Sequence, residues 1–254
     1  MARRTGSETG GDGTVSPTDP AAEKASLWED FIDIFYAPSL VFLRRREGKF
    51  GYALLFLTLA GVALHLLTRN AMQPVMDAEF AFRSAEAVRA NPEMTSEQMA
   101  AGRNFFETFA PVIFAVSFPL IVVLTGLVLW AVSKLFDAKE PLVAALMIAT
   151  YSQVPRLVQF LTTAAQGLFM DPASITSAHS VSLSLARFMD PTTASPLLLV
   201  MASRVDVFTI WVTVLLAIGL YAVARIPKQS AAMAAGITWL AGAVPGIIGA
   251  LRSG

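Results

Sequence analysis

Hydrophobic residues in this chain come in long runs rather than at the periods of half-buried helices or strands. A helix needs roughly 20 mainly apolar residues to cross the hydrocarbon core of a bilayer. The runs predict an all-α fold, a polytopic membrane helical bundle with about five transmembrane helices. The predicted spans are residues 50–68, 108–133, 141–170, 207–224 and 229–251.

The third predicted span carries a polar interruption. Pro155 predicts a break in the helix, because proline lacks a backbone N–H, and nearby polar side chains offer partners for the freed backbone groups. Arg156 is ionisable at membrane depth; it either snorkels to the outer surface or pairs with Asp206 at the start of the fourth span. The candidate polar intramembrane site therefore comprises Tyr151, Ser152, Gln153, Pro155, Arg156 and Asp206.

Two segments precede the first span. Residues 1–26 are rich in Gly, Ser, Thr and Pro and are predicted to be a disordered tail. Residues 27–46 are predicted to form an amphipathic helix, which either lies in the membrane interface or packs on the cytoplasmic end of the bundle. Its predicted apolar face carries Trp28, Phe31, Ile32 and Phe35, and its predicted polar face carries Glu29, Asp30 and Asp33.

Two longer polar segments separate the spans. Residues 70–107 are predicted to form an extramembrane helical hairpin that extends the first two spans and is broken near Asn91 and Pro92. Thr95 followed by Gln98 predicts a capping box where the second arm begins. For residues 171–206, the pattern leaves a strand and an interfacial helix as alternatives.

Basic residues favour one orientation in the membrane, because cytoplasmic flanks are enriched in Lys and Arg. With five spans they collect on one side, which places the N-terminus in the cytoplasm and the C-terminus outside. These residues are Arg44, Arg45, Arg46, Lys49, Lys134, Lys139, Arg225 and Lys228.

Composition narrows the possible chemistry. Apolar residues make up 55% and charged residues 15% of the chain, as in membrane proteins, and 19 basic residues balance 19 acidic ones, so no nucleic-acid partner is expected. There is no cysteine, and neither His65 nor His179 belongs to a metal-binding or catalytic motif. We therefore expect no enzyme activity, no catalytic residue, no cofactor and no metal.

The fifth span contains small residues at helical spacing. Gly242 and Gly246 lie four residues apart on one face, where small side chains let helix backbones approach closely in a membrane. We expect this face to pack against another helix of the chain or against a second copy. The competing explanation is a kink at Pro245.

Three groups of residues give the chain a resemblance to a known family. They are Phe35-Tyr36-Ala37-Pro38 with Phe42, Tyr151-Ser152-Gln153-Val154-Pro155, and the stretch from Asp206 through Trp211 to Gly219. In this order the chain resembles the Yip1 domain family, which makes residues 27–254 a Yip1-like membrane domain. The resemblance implies a five-span scaffold or trafficking factor; eukaryotic members bind small Rab-type GTPases and one another. This sequence is similar to bacterial members and has no separate GTPase-binding motif.

These observations lead to two expectations about function. The first is a non-enzymatic membrane scaffold or protein and lipid interaction factor in the bacterial inner membrane. Its partners would be membrane lipid and other membrane proteins or further copies of itself. The alternative is a small transporter or channel that uses the polar, proline-broken third span.

Overall fold

A computed structural model describes residues 26–253. The predicted disordered tail lies outside the described residues except for Ser26, which caps the first helix. The described chain is all-α, as predicted. Its helices are α1 (Leu27–Tyr36), α2 (Pro38–Arg44), α3 (Gly51–Leu67), α4 (Arg69–Ala90), α5 (Ser96–Ser133), α6 (Leu142–Tyr151), α7 (Pro155–Phe169), α8 (Pro196–Arg204), α9 (Val207–Ala224), α10 (Lys228–Ala241) and α11 (Val244–Ser253).

Several helices are long and apolar enough to cross a membrane, which confirms the predicted membrane bundle. Within residues 26–253 these are Ser96–Phe136, Val207–Ala224 and Lys228–Arg252, and the bent pair α3–α4 counts as a fourth if it is taken as one span. The α6–α7 pair is not among them, in keeping with the polar residues at its break. The count of five spans therefore stays a prediction.

The bundle has two distinguishable ends. Lys139 N–H donates to the carbonyl of Ala224, so the α5–α6 and α9–α10 connections lie together at what we call the basic end. At the opposite end, Ala178 N–H donates to Glu79 Oε2 over 2.9 Å, which joins the two long polar segments. These two hydrogen bonds thus mark the two ends of the bundle.

Helix α6 lies at the centre of the bundle. Leu146 on α6 packs against Gly126 of α5, where a Cβ would lie 2.7 Å from a Leu146 methyl group. On the other side, Ile148 packs against Gly219 of α9, where a Cβ would lie 2.5 Å from an Ile148 methyl group. Glycine at both positions therefore allows α5, α6 and α9 to approach closely.

The α1–α2 segment forms a helical hairpin that enters the bundle. Three aromatic contacts follow α1 inward, each with ring centroids 5.0 to 6.2 Å apart: Trp28 with Phe56, Phe31 with Tyr151, and Phe35 with Trp211. The bundle partners lie five, nine and 13 residues from the basic ends of α3, α6 and α9, or roughly 8, 14 and 20 Å at 1.5 Å per residue.

This placement corrects the expected position of the amphipathic helix. The helix forms, but it neither lies flat in the interface nor rests on the end of the bundle, because its tip reaches more than half-way along α9. The buried face is also rotated relative to the predicted one: Phe31 and Ile34 are buried together with Asp30, whereas Trp28 and Ile32 are mostly exposed.

The polar segment between α3 and α5 agrees with the prediction at its second arm but not at its first. Thr95 and Gln98 form the predicted capping box, and α5 runs from there into the second span without a break. However, α4 bends away from α3 by 81° instead of extending it. Gly167 of α7 gives the reason, because its missing side chain leaves room for the α4 backbone at Ala71. Packing against α7 therefore sets the direction of α4.

Residues 171–206 form neither a regular strand nor one interfacial helix. They contain three short 3₁₀ helices, followed by α8. A single antiparallel bridge joins Ser184 to Asp206, with Leu185 N–H donating to Val205 O and Val207 N–H to Leu183 O. This bridge holds the segment against the start of α9.

Candidate functional site

The predicted break in the third span is present and deeply buried. Helix α6 ends at Tyr151, α7 begins at Pro155, and Tyr151, Ser152 and Gln153 are all buried. The backbone satisfies itself locally: Gln153 N–H donates to Thr150 O over 3.0 Å, and Val154 N–H to Tyr151 O over 3.2 Å. These are i to i−3 bonds, so the expectation that polar side chains satisfy the freed groups is wrong.

Arg156 and Asp206 come close together but do not form a direct ion pair. Arg156 Nη2 donates to Thr209 Oγ1 over 3.2 Å, and Thr209 Oγ1 donates to Asp206 Oδ1 over 3.3 Å. Arg156 Nη1 also donates to Gln159 Oε1 over 2.6 Å. Thr209 therefore bridges the two charges, a link that the sequence prediction missed.

Asp206 is held in place by the start of α9. Its Oδ1 accepts hydrogen bonds from the backbone N–H groups of Phe208 and Thr209, each over 3.0 Å. A carboxylate that caps a helix N-terminus is stabilised by the free amides of the first turn and by the helix dipole. Asp206 is thus held mainly by backbone hydrogen bonds, and among the described residues Thr209 alone connects it to Arg156.

A second polar cluster, which the sequence prediction missed, lies between α1 and α2. Asp30 is fully buried and accepts from Arg44 Nη1 over 3.1 Å and from Arg45 Nε over 2.6 Å. Arg44 Nη2 also donates to Asp33 Oδ2 over 2.5 Å. We call these four residues the hairpin clamp, since they join the antiparallel helices near their open end.

Two opposing effects act on the Asp30 carboxyl of the hairpin clamp, burial and its pairing with arginine. Burial raises the pKa of the Asp30 carboxyl above its usual value, and the hydrogen bonds and charges of Arg45 and Arg44 act against that shift. A buried carboxylate is costly unless its oxygens are paired. Two features of the sequence could have indicated this cluster. Asp30 lies on the same helix face as the apolar Ile34 and next to Phe31, and two adjacent arginines, Arg44 and Arg45, follow in α2 and at its end.

The hairpin contacts the break directly. Phe31, one residue after Asp30, lies with its ring centroid 6.2 Å from that of Tyr151, the last residue of α6. Phe31 also stacks on Phe56 of α3 at 4.7 Å. The approach to the break from the basic end is therefore filled by aromatic side chains of the inserted hairpin.

Comparison with known proteins identifies the family. The Yip1 domain family model matches residues 32–249, which is most of the chain. The chain belongs to the Yip1 domain family. No curated protein and no solved structure matches it. The matched part of this Yip1 domain includes α2, the break at Pro155 and both charges bridged by Thr209, whereas Asp30 of the clamp precedes it.

The predicted fifth span of this Yip1 domain is divided at Gly242 and Ala243, between α10 and α11. Gly242 faces α8, where a Cβ would lie 2.7 Å from Arg204 Nη2, and a Cβ at Gly246 would lie 3.0 Å from a Val200 methyl group. Arg204 Nη2 donates to the carbonyl of Trp239 over 2.7 Å. The two glycines thus pack against α8 of the same chain. The break between α10 and α11 lies at Gly242, so both explanations for the glycines, close packing and a kink, have a structural counterpart.

The residues that could hold a metal are dispersed. Among residues 26–253 no three His, Asp or Glu side chains lie close enough together to form a metal site. His65 is partly buried near the end of α3, and His179 lies in a 3₁₀ helix of the segment between α7 and α8. Burial lowers the pKa of His179, although the charge of Glu79 opposes this effect.

Proposed function

We propose that this Yip1 domain is a non-enzymatic membrane scaffold that binds lipids and other membrane proteins or further copies of itself. We place it in a bacterial inner membrane with its N-terminus in the cytoplasm. The observation that carries the proposal is the contact of Phe31 with Tyr151. Through it the chain's own hairpin covers the polar break.

The exposed surface supports the same proposal. In the apolar part of α5 only 17% of residues are buried inside the structure, so most of this helix faces outward. Large apolar side chains remain exposed along it, including Val116 at 67% and Leu120 at 55%. A surface of this kind is suited to contacts with lipid tails or with neighbouring helices.

Photo-crosslinking in the native membrane tests the proposal. A photoreactive amino acid at Val116 or Leu120 should give products with a discrete protein or lipid partner. The matched control is Leu129, which is on the same helix but fully buried, and should give none. Diffuse products of equal yield from all three positions would contradict specific interaction.

A second candidate function is a small transporter or channel, and one observation favours it. Ser152 Oγ and Asp206 Oδ2 are buried and have no hydrogen-bond partner in the described chain. Buried polar atoms usually bond to ordered water when protein groups do not satisfy them, and in this second proposal the two atoms would line a hydrated path. Ion or proton flux into proteoliposomes that is abolished by Arg156→Gln would favour transport over scaffolding.

A further inference from the structure

A groove lies between α4 and α5 at the end of the bundle opposite the basic end. It has a volume of about 800 Å³, within the range of about 300–1,000 Å³ that is typical of ligand sites. Four methionines and two phenylalanines line it, and methionine side chains adapt readily to irregular apolar ligands. Its apolar lining includes Met72, Met76, Phe80, Met94, Met99 and Phe106.

The charges around the groove are already paired within the chain. Arg83 bonds to Glu79 over 2.6 Å, and Arg103 to Glu107 over 2.6 Å. Arg103 also lies over the ring of Phe80, 5.0 Å from its centroid, and so links the two walls. A charged ligand would have to disrupt these pairs, whereas an apolar chain would leave them intact.

The groove is continuous with the lipid-facing surface of α5. Phe106 lines the groove, and further exposed apolar residues follow it three or four positions apart on the same helix face. Because α5 is unbroken, this stripe runs from the groove into the second span. The stripe consists of Phe106, Phe109, Ile113, Val116 and Leu120.

We propose that the α4–α5 groove binds an acyl chain of a membrane phospholipid. The inference rests on the proposed interaction function and names one ligand of it. The stripe supplies an apolar route from the bilayer, and the groove receives the end of the chain between α4 and α5. The bend of 81° between α3 and α4 carries α4 away from the axis of the first span and so opens the space.

Gly102 provides a sharp test, because it lines the groove and a Cβ there would meet no atom within 4 Å. Gly102→Trp should therefore fill the groove without disturbing the fold. Gly236→Trp is the matched control: Gly236 is also helical, also has no atom within 4 Å of its Cβ, and lies on α10 away from the groove. Met99→Gln is a second variant that lowers apolarity without adding bulk.

The full chain is reconstituted in vesicles that contain a phosphatidylethanolamine with a photoreactive acyl chain, and labelled peptides are identified by mass spectrometry. We expect label on Met99 and Phe106, reduced several-fold by Gly102→Trp and unchanged by Gly236→Trp. In Met99→Gln the readout is Phe106, and we expect its label to fall several-fold. Label at Val116 and Leu120 that is absent from the groove, or groove label that Gly102→Trp leaves unchanged, would overturn the proposal.

A protein occupant gives a different result. A photoreactive group at Met99 in the native membrane would then crosslink to a helix of another protein, and the lipid probe would leave the groove unlabelled. That outcome would overturn acyl-chain binding but leave the scaffold proposal standing. The scaffold proposal fails separately, through diffuse crosslinking from Val116 and Leu120.

Discussion

Arg45 Nε donates to Asp30 Oδ2 over 2.6 Å, and this bond joins the start of α1 to the end of α2. Asp30 is fully buried, whereas the side chain of Arg45 is 20% exposed. The two partners therefore respond differently to loss of the bond, since Arg45 can turn toward water and Asp30 cannot.

We predict that Arg45→Gln is more destabilising than Asp30→Asn combined with Arg45→Gln. The single change leaves a buried carboxylate short of a partner, which costs on the order of 3 kcal/mol in buried pairs. The double change removes that charge. Thermal unfolding in detergent measures both variants, and a double variant at least as unstable as Arg45→Gln would show that Asp30 is not held as a buried charge.

The Thr209 bridge makes a second prediction. Thr209→Val keeps the shape of the side chain but removes the hydroxyl between Arg156 and Asp206, and should cost about 1–3 kcal/mol because buried charged groups lose a partner. Thr209→Ser should retain most of the stability. If Thr209→Val and the wild type unfold at the same temperature in detergent, the bridge contributes nothing to stability.

The third prediction concerns Gly242 and Gly246. Leucine at either position would push against Arg204 or Val200 of α8 and should lower thermal stability clearly, whereas alanine requires only a small shift of these neighbours. If the glycines serve only the break between α10 and α11, alanine and leucine should have the same effect. The comparison of Ala and Leu at each site separates close packing from flexibility.

Much of the fold could be predicted from the apolar runs and from local signals. Pro155 indicated the break, and Thr95 with Gln98 indicated the start of α5; both are properties of a few adjacent residues. The bend between α3 and α4 carried no such signal, because it depends on the approach of Ala71 to Gly167, almost a hundred residues away in the chain.

The candidate site was predicted only in part, for a similar reason. The polar residues around Arg156 could be recognised because charges are rare in an apolar run. Asp30 was assigned to a solvent-facing side because acidic residues on an amphipathic helix normally face water. Its burial depends on Arg44 and Arg45, which reach it only because α2 folds back on α1.

The orientation and the number of spans make a fourth prediction. Five spans with Arg44–Arg46 and Arg225 in the cytoplasm place the C-terminus outside. Alkaline phosphatase, which is active only outside the cytoplasm, should therefore be active when it is fused after Gly254 in a bacterial host. A fusion after Arg225 should be inactive. An inactive fusion at Gly254 would contradict either the span count or the orientation.

The α1–α2 hairpin covers the polar break only if it is inserted into the bundle. The chain has no cysteine, so two can be introduced without background. The hairpin tip is probed with Phe35→Cys combined with Trp211→Cys, whose native rings lie 5.3 Å apart. The control combines Phe35→Cys with Tyr221→Cys, near the basic end of α9.

The decisive measurement is the yield of the linked peptides, by mass spectrometry, after a short bismaleimide crosslinker is added to native membranes. The inserted hairpin predicts a strong intramolecular link between positions 35 and 211 and a weak one between 35 and 221. A strong link to position 221 without one to 211 would place the hairpin at the end of the bundle and rule out its insertion.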